Sequence, residues 1–259
     1  MGLQISHAGR KGSAEIPWIK SNTSLNKKQK SWRTFAPSAI RRDPKWPVPK
    51  SLKVNQIKRI ISDFKNSAKR ANKANFDVLE IHMAHGYLLH QFFSPISNKR
   101  EDKYGGTLQN RCRLLLEITK EIKKIWPKNK VLGARVNGND WLSNGIKLKD
   151  CIYLVKNLKK CGLDYVCVSS GGILPKTKIK FKPGYQVHLA RGIKKMTGIT
   201  TRTTGMINSF RQANKIINSN SADIINIGRK FVNDPTWLIK EMKKRKIKFN
   251  LPNQYSRCF

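Results

Sequence analysis

Short apolar segments alternate with longer amphipathic ones along this chain, and that alternation limits what it can fold into. Residues 77–82 (DVLEIH), 131–137 (VLGARVN), 164–170 (DYVCVSS) and 222–228 (ADIINIG) are strand-like. Residues 3–9 (LQISHAG) add an earlier strand, and 199–205 (ITTRTTG) a weaker one. Between them the apolar period becomes helical. Val54, Ile57, Ile60, Ile61, Phe64, Ala68 and Ala71 predict a helix over 54–75. Further helices are predicted over 108–126, stopped by Pro127, and over 148–161, closed by Gly162. Residues 185–196, 210–217 and 236–244 complete the series, and 10–49 read as a loop rich in Ser, Asn, Lys and Pro. The result is six β-then-α units, which means parallel strands covered by helices. An α/β fold of this kind is either a doubly wound sheet or a (β/α)8 TIM barrel. Polar residues gather at the strand ends, as a barrel's chemistry requires: His7 and Arg10, His82 and His85, Arg135 and Asn137, Ser169 and Ser170.

At 259 residues the chain is long enough for a substantial core. Its 53 Lys and Arg against 15 Asp and Glu give a formal charge of +38, which attracts polyanions in general. The cations are scattered over helix faces, the run 176–182 and the tail 240–248. No helix-turn-helix, zinc-finger or RNP-type pattern accompanies them, so specific nucleic-acid recognition is not expected. The five cysteines, Cys112, Cys151, Cys161, Cys167 and Cys258, form no Cys-x-x-Cys pair and fit a reducing compartment. No apolar run approaches membrane-spanning length and no signal peptide opens the sequence, so a cytoplasmic protein without a membrane partner is expected.

The chemistry concentrates after the strand at 77–82. His82, His85 and Tyr87 form a His-x-x-His-x-Tyr group at its end. One option is a metal site, for which a third ligand is not evident. Another is a pair of imidazole N–H groups aimed at one carbonyl oxygen, with the phenol delivering a proton to a neighbouring carbon. That suits hydride addition to an alkene conjugated to a carbonyl, with a cofactor as hydride donor. At the last two strand ends, Gly205 and the pair Gly228–Arg229 suit a phosphate, unless the glycines only turn the chain. Arg135 lies on an apolar strand and needs an anionic or electron-rich partner, or a structural salt bridge. Gln4, on the first strand, offers an amide donor and acceptor, or is simply exposed.

QISHAGRKG, FDVLEIHMAHGYLLHQFFSPISNKREDKYGGTLQNR, ARVNGNDW, SSGG, PGYQV and IGRKFVNDP occur in this order. Together they resemble the old yellow enzyme family, in its bacterial NADPH dehydrogenase branch. The resemblance implies a single FMN-binding TIM barrel over 1–259, beginning at the third barrel strand and truncated to six units. It implies hydride transfer from NADPH or NADH through FMN to α,β-unsaturated carbonyl compounds. His82 and His85 then bind the carbonyl oxygen or the nicotinamide carboxamide, and Tyr87 donates the proton. Gln4 and Arg135 take the flavin's pyrimidine edge, and Gly205, Gly228 and Arg229 its phosphate. Arg257 is placed to reach a neighbouring subunit's site, which implies a homo-oligomer. Arg202 departs from the pattern, standing where the family has a small residue. The alternative is a catalytically inactive barrel fragment whose basic surface binds polyanions.

Overall fold

The computed structural model describes residues 1–19, 23–175, 177–255 and 257; Lys176 and Cys258 lie outside them. In chain order the elements are β1 (Gly2–Ile5), the short strands β2 (Phe35–Ala36) and β3 (Lys50–Ser51), and α1 (Val54–Lys73). Next come β4 (Val78–Met83), α2 (Leu88–Phe93), α3 (Leu108–Lys123), β5 (Val131–Asn137) and α4 (Leu148–Lys160). Then follow β6 (Tyr165–Ser169), α5 (Val187–Thr197), β7 (Thr200–Thr203) and α6 (Phe210–Asn218). The chain ends with β8 (Ile224–Ile225), α7 (Arg229–Asn233) and α8 (Trp237–Lys244).

Among the described residues the main sheet runs β1-β4-β5-β6-β7-β8, and every neighbouring pair is parallel. Spatial order therefore equals chain order. A doubly wound sheet reverses direction at a switch point, so this order is that of a barrel wall. The two unit boundaries that differ most from expectation are β1 and β8. The residues beyond Ile5 turn into a 3-10 helix at Gly9–Lys11, and β8 keeps only two ladder residues. Both are edge strands, paired on one side only among the described residues. The loop between β1 and α1 also contains the β2–β3 pair, which sequence periodicity does not reveal.

Strand alternation separates two faces. Leu79, Ile81, Met83, Leu132, Ala134, Val136, Val166 and Val168 share one cluster with Ile57 and Phe64 of α1, Leu115 and Ile118 of α3, Leu154 of α4 and Ile193 of α5. That is the core. The opposite face is polar. One ladder row holds His82, Arg135, Cys167 and Arg202; the row below holds Gln4, Glu80, Gly133 and Tyr165.

Hydrogen bonds cross this inner face from edge to edge. Gln4 Nε2 donates to Glu80 Oε1 at 2.6 Å, and the Tyr165 hydroxyl donates to Glu80 Oε2 at 2.8 Å. Arg202 Nη1 lies 3.5 Å from that same Oε2 and donates to the Tyr165 hydroxyl at 3.3 Å. Its Nη2 donates to Asn226 Oδ1 at 2.9 Å. Gly133 makes the crossing possible: a Cβ there would stand 2.1 Å from the Tyr165 ring. Burial, followed by the Glu80 charge, pushes the Tyr165 phenol up, so it remains a donor. Arg202 thus supplies the counter-charge of a buried carboxylate.

Candidate active site

The site is built at the C-terminal ends of the strands. His82 is the last residue but one of β4 and is 5% exposed. Beyond it the chain bends sharply, with His85 at φ +58° and Gly86 at φ +72°. The bend presses against the Ser-Ser-Gly-Gly turn after β6. A Cβ on Gly86 would stand 2.1 Å from the Gly172 carbonyl oxygen, so only glycine fits. Tyr87 then caps α2, whose short helix is buried along its length. His90 on α2 anchors the bend from below. The Gly86 N–H donates to His90 Nδ1 at 2.8 Å, and His90 Nε2 faces Asp140 Oδ1 at 2.9 Å.

The bend brings three rings together. The His82 and His85 centroids are 5.1 Å apart, as are those of His82 and Tyr87. His85 is held from two strands: its N–H donates to Asn137 Oδ1 at 3.2 Å, and its Nε2 lies 2.6 Å from Ser169 Oγ. Ser169 and Ser170 both donate to Gln186 Oε1, at 3.2 and 2.7 Å. Ser169 has spent its only proton there, so His85 Nε2 carries the hydrogen between them. His82 Nδ1 is buried and has no hydrogen-bond partner among the described residues.

Electrostatics keep both imidazoles neutral. Burial, then the Arg135 guanidinium, lowers His82 to about 4 and His85 to about 2. Lys11 also bears on this group. Its ammonium donates to the His85 carbonyl oxygen at 2.9 Å and sits 4.4 Å from the Tyr87 ring centroid. Burial, then Arg42, brings Lys11 down to about 8.

Beside the rings lies a cavity of about 360 Å³, lined by His85, Arg135, Ser169, Gln186, Gly205, Asn226, Gly228, Arg229 and Lys230. Arg135 Nε is buried there without a hydrogen-bond partner among the described residues. Gly205 has φ +117°, and a Cβ on Gly228 would meet nothing within 4 Å. Gly228 therefore leaves space that no group of the described residues uses. Two guanidiniums, an ammonium and open backbone fit a phosphate-bearing ligand with an electron-rich ring.

The structure thus gathers His85, Arg135, Gly205, Gly228 and Arg229 around one cavity, with His82 and Tyr87 in tilted ring contact at its side. Gln4 is exposed, and its amide donates to Glu80, in the row beneath Arg135. Arg257 is exposed in the tail. Lys11, Gln186, Asn226 and His90 escaped the reading of the sequence. Only Lys11 had a usable signal, two residues beyond the Gly that follows a polar strand end. Among the described residues no group of three His, Cys, Asp or Glu side chains could hold a metal ion.

Residues 1–248 match the model of the NADH:flavin oxidoreductase / NADH oxidase family. The chain belongs to that family. Its flavin oxidoreductase relatives include an NADPH dehydrogenase of Geobacillus thermodenitrificans, 37% identical over 257 residues. That match covers 99% of this chain and 70% of the relative. An NADPH dehydrogenase of Listeria monocytogenes is 39% identical over 258 residues, covering 100% of this chain and 71% of the relative. Among solved structures, a complex of 2-naphthoyl-CoA reductase superposes with a TM-score of 0.81 at 25% identity, covering 95% of this chain but only 38% of that one. Morphinone reductase with tetrahydroNAD gives 0.72 at 23% identity, covering 97% and 67%, and supports the barrel fold alone. As a member of this family the chain is an oxidoreductase whose cofactor is FMN. No described helix is long and apolar enough to cross a membrane.

Proposed function

We propose that this flavin oxidoreductase takes hydride from NADPH or NADH and reduces the alkene of α,β-unsaturated carbonyl compounds. One observation carries the reading. Two neutral imidazoles and a phenol pack in edge-to-face and tilted contact beside a cationic cavity whose Arg135 Nε and neighbouring His82 Nδ1 are buried without partners among the described residues.

Bound FMN supplies hydride carriage between the nicotinamide and the acceptor. The residues that would hold it are Arg135 and Gln4 at the pyrimidine edge, with Gly205, Gly228 and Arg229 at the phosphate. A fixed guanidinium at that edge favours negative charge on the ring. Glu80 orients the Gln4 amide, and Arg202 pairs with Glu80.

His82 and His85 would donate N–H groups to the acceptor's carbonyl oxygen or to the nicotinamide carboxamide. As neutral rings they stabilise developing negative charge without adding a full positive charge to the site. Ser169 Oγ accepts the hydrogen bond from His85 Nε2–H, so acceptor binding exchanges one partner for another. Tyr87 would protonate the carbon next to the one that receives hydride. Lys11, against the face of its ring, stabilises the phenolate left behind. Arg257 would enter the site of a neighbouring copy.

The test starts with the purified chain. A yellow flavin spectrum that NADPH bleaches without oxygen supports the reading. Tyr87→Phe should then slow enone reduction by about 100-fold while leaving flavin reduction by NADPH unchanged. Equal slowing of both half-reactions would remove the proton-donor role. A colourless protein with salt-sensitive binding to nucleic acid would support the polyanion-binding alternative instead.

A further inference from the structure

Asp140 lies three residues beyond the end of β5 and is fully buried. A charge taken out of water needs compensating donors. Its Oδ2 accepts the Ser94 hydroxyl at 2.7 Å and the Ile146 N–H at 3.1 Å. Its Oδ1 faces His90 Nε2 at 2.9 Å and Asn137 Nδ2 at 3.5 Å. His90, Asn137 and Ser94 are themselves fully buried. Among the described residues no Lys or Arg forms an ion pair with Asp140. Burial alone would raise this carboxyl, but His90, the Ser94 hydroxyl and the Ile146 N–H outweigh it and hold the group below the usual carboxylate range.

The two partners on Oδ1 both lead to the bend that carries His85. His90 Nδ1 accepts the Gly86 N–H at 2.8 Å, so that nitrogen bears no hydrogen. The ring's hydrogen is therefore on Nε2, on the side of Asp140. Their approach departs from a linear hydrogen bond, so the charge on Oδ1 carries the contact. Asn137 Oδ1 accepts the His85 N–H at 3.2 Å, while its Nδ2 donates to the Gly171 carbonyl at 2.7 Å. The successive N–H groups of His85 and Gly86 thus meet acceptors that both turn toward one carboxylate oxygen. The bend needs such fastening, because His85 at φ +58° is left-handed without being glycine. His85 and Tyr87 flank Gly86 in sequence, so their rings move with it.

We propose that Asp140 is a positioning residue for the reduction, setting the spacing of His85 and Tyr87 through His90 and Asn137. The inference rests on the reading of those two rings as the acceptor site, and deepens it. An asparagine could not take this place. It offers one accepting oxygen, and its NH2 would meet a donor on the other side. Turned toward Nε2, that NH2 would force the hydrogen of His90 onto Nδ1, against the Gly86 N–H. Two donors 2.8 Å apart repel, and the bend opens. Turned the other way, the NH2 would meet the Ile146 N–H.

In flavin-loaded Asp140→Asn, phenol should bind about tenfold more weakly, read by the visible spectrum. Reoxidation of the reduced flavin by cyclohexenone should slow by about tenfold or more. Reoxidation by dioxygen needs neither ring and should stay within about twofold of the parent. An unchanged enone rate, or equal slowing with both oxidants, overturns the assignment. His90→Asn and His90→Leu, two side chains of like shape, supply a second comparison. Asparagine can still accept the Gly86 N–H, and its variant should hold phenol at least about fivefold more tightly than the leucine one. Equal affinities overturn the assignment as well. Nitrogen NMR of the histidines in the parent chain needs no variant, no flavin and no turnover. It should show His90 with its hydrogen on Nε2 and Nδ1 bare; a hydrogen on Nδ1 overturns the proposal. If the phenol and NMR results hold while cyclohexenone leaves the reduced flavin unoxidised, the bend assignment stands and the alkene-reduction reading falls.

Discussion

His82 is neutral in the folded protein down to about pH 4, against an ordinary value of 6.5, because burial and then Arg135 disfavour its charged form. In the unfolded chain it takes up a proton below 6.5. The unfolded state therefore binds more protons between pH 6.5 and 4, and stability falls as pH falls through that window. At pH 5 the loss from His82 alone is about 2 kcal/mol relative to pH 7.5. Urea unfolding at the two pH values should show it, and His82→Asn should flatten the difference; an unaltered slope would mean that the ring is protonated in place. His82→Ala should also weaken binding of phenolic ligands to the flavin-loaded protein, read by the change in its visible spectrum. Arg202 makes a second residue-level case. Arg202→Ala leaves Glu80 buried beside two neutral donors, and should cost about 3 kcal/mol in urea unfolding. Adding Glu80→Gln should recover part of that loss. At this scale the His-x-x-His-x-Tyr spacing was readable because it lies at a predictable strand end. The fastening of Gln4 to Glu80 was not, because partners on adjacent strands sit 76 residues apart in sequence.

The elements themselves follow from periodicity where one face is apolar and the other wet. Helix α1 runs from Val54 as predicted, and its buried positions Ile57, Ile60, Phe64, Ala68 and Ala71 are those of the sequence pattern. Strand β8 was overestimated, since an edge strand keeps its apolar residues while losing half its ladder. Helix α2 was invisible for a different reason: all six of its residues are buried, so it has no amphipathic period to detect. The turn that leads into it can be tested with two glycines of the same backbone angle. Gly86 and Gly106 both have φ +72°, but only Gly86 is in close contact with another backbone. Gly106→Ala should cost about 1 kcal/mol, the ordinary left-handed penalty. Gly86→Ala should cost at least about 3 kcal/mol and displace His85, detectable as lost ligand binding in whatever protein still folds. Equal costs at the two sites would show that the contact with Gly172 relaxes freely.

Across the whole molecule the charge of +38 is a sum over separate faces, and its first consequence is self-repulsion. Raising ionic strength from about 10 to 200 mM shortens the screening length severalfold, so the melting temperature should rise with salt. A fall would mean that ion pairs such as Lys65–Glu121 and Lys194–Asp223 outweigh repulsion. The alternation of elements left a doubly wound sheet and a barrel both open, and the family resemblance pointed to the barrel; the character of its interior was not legible. Strands that read as apolar runs place their apolar residues on the helix side and turn Gln4, Glu80, Arg135, Tyr165 and Arg202 the other way. β1 and β8 do not pair with each other among the described residues, and Ile224 at that edge is 44% exposed. A greasy lumen beside such a gap would pull shut or stick to another copy. A lumen braced by a crossbeam of amide, carboxylate, phenol and guanidinium can be wetted from the flank and still keep its shape.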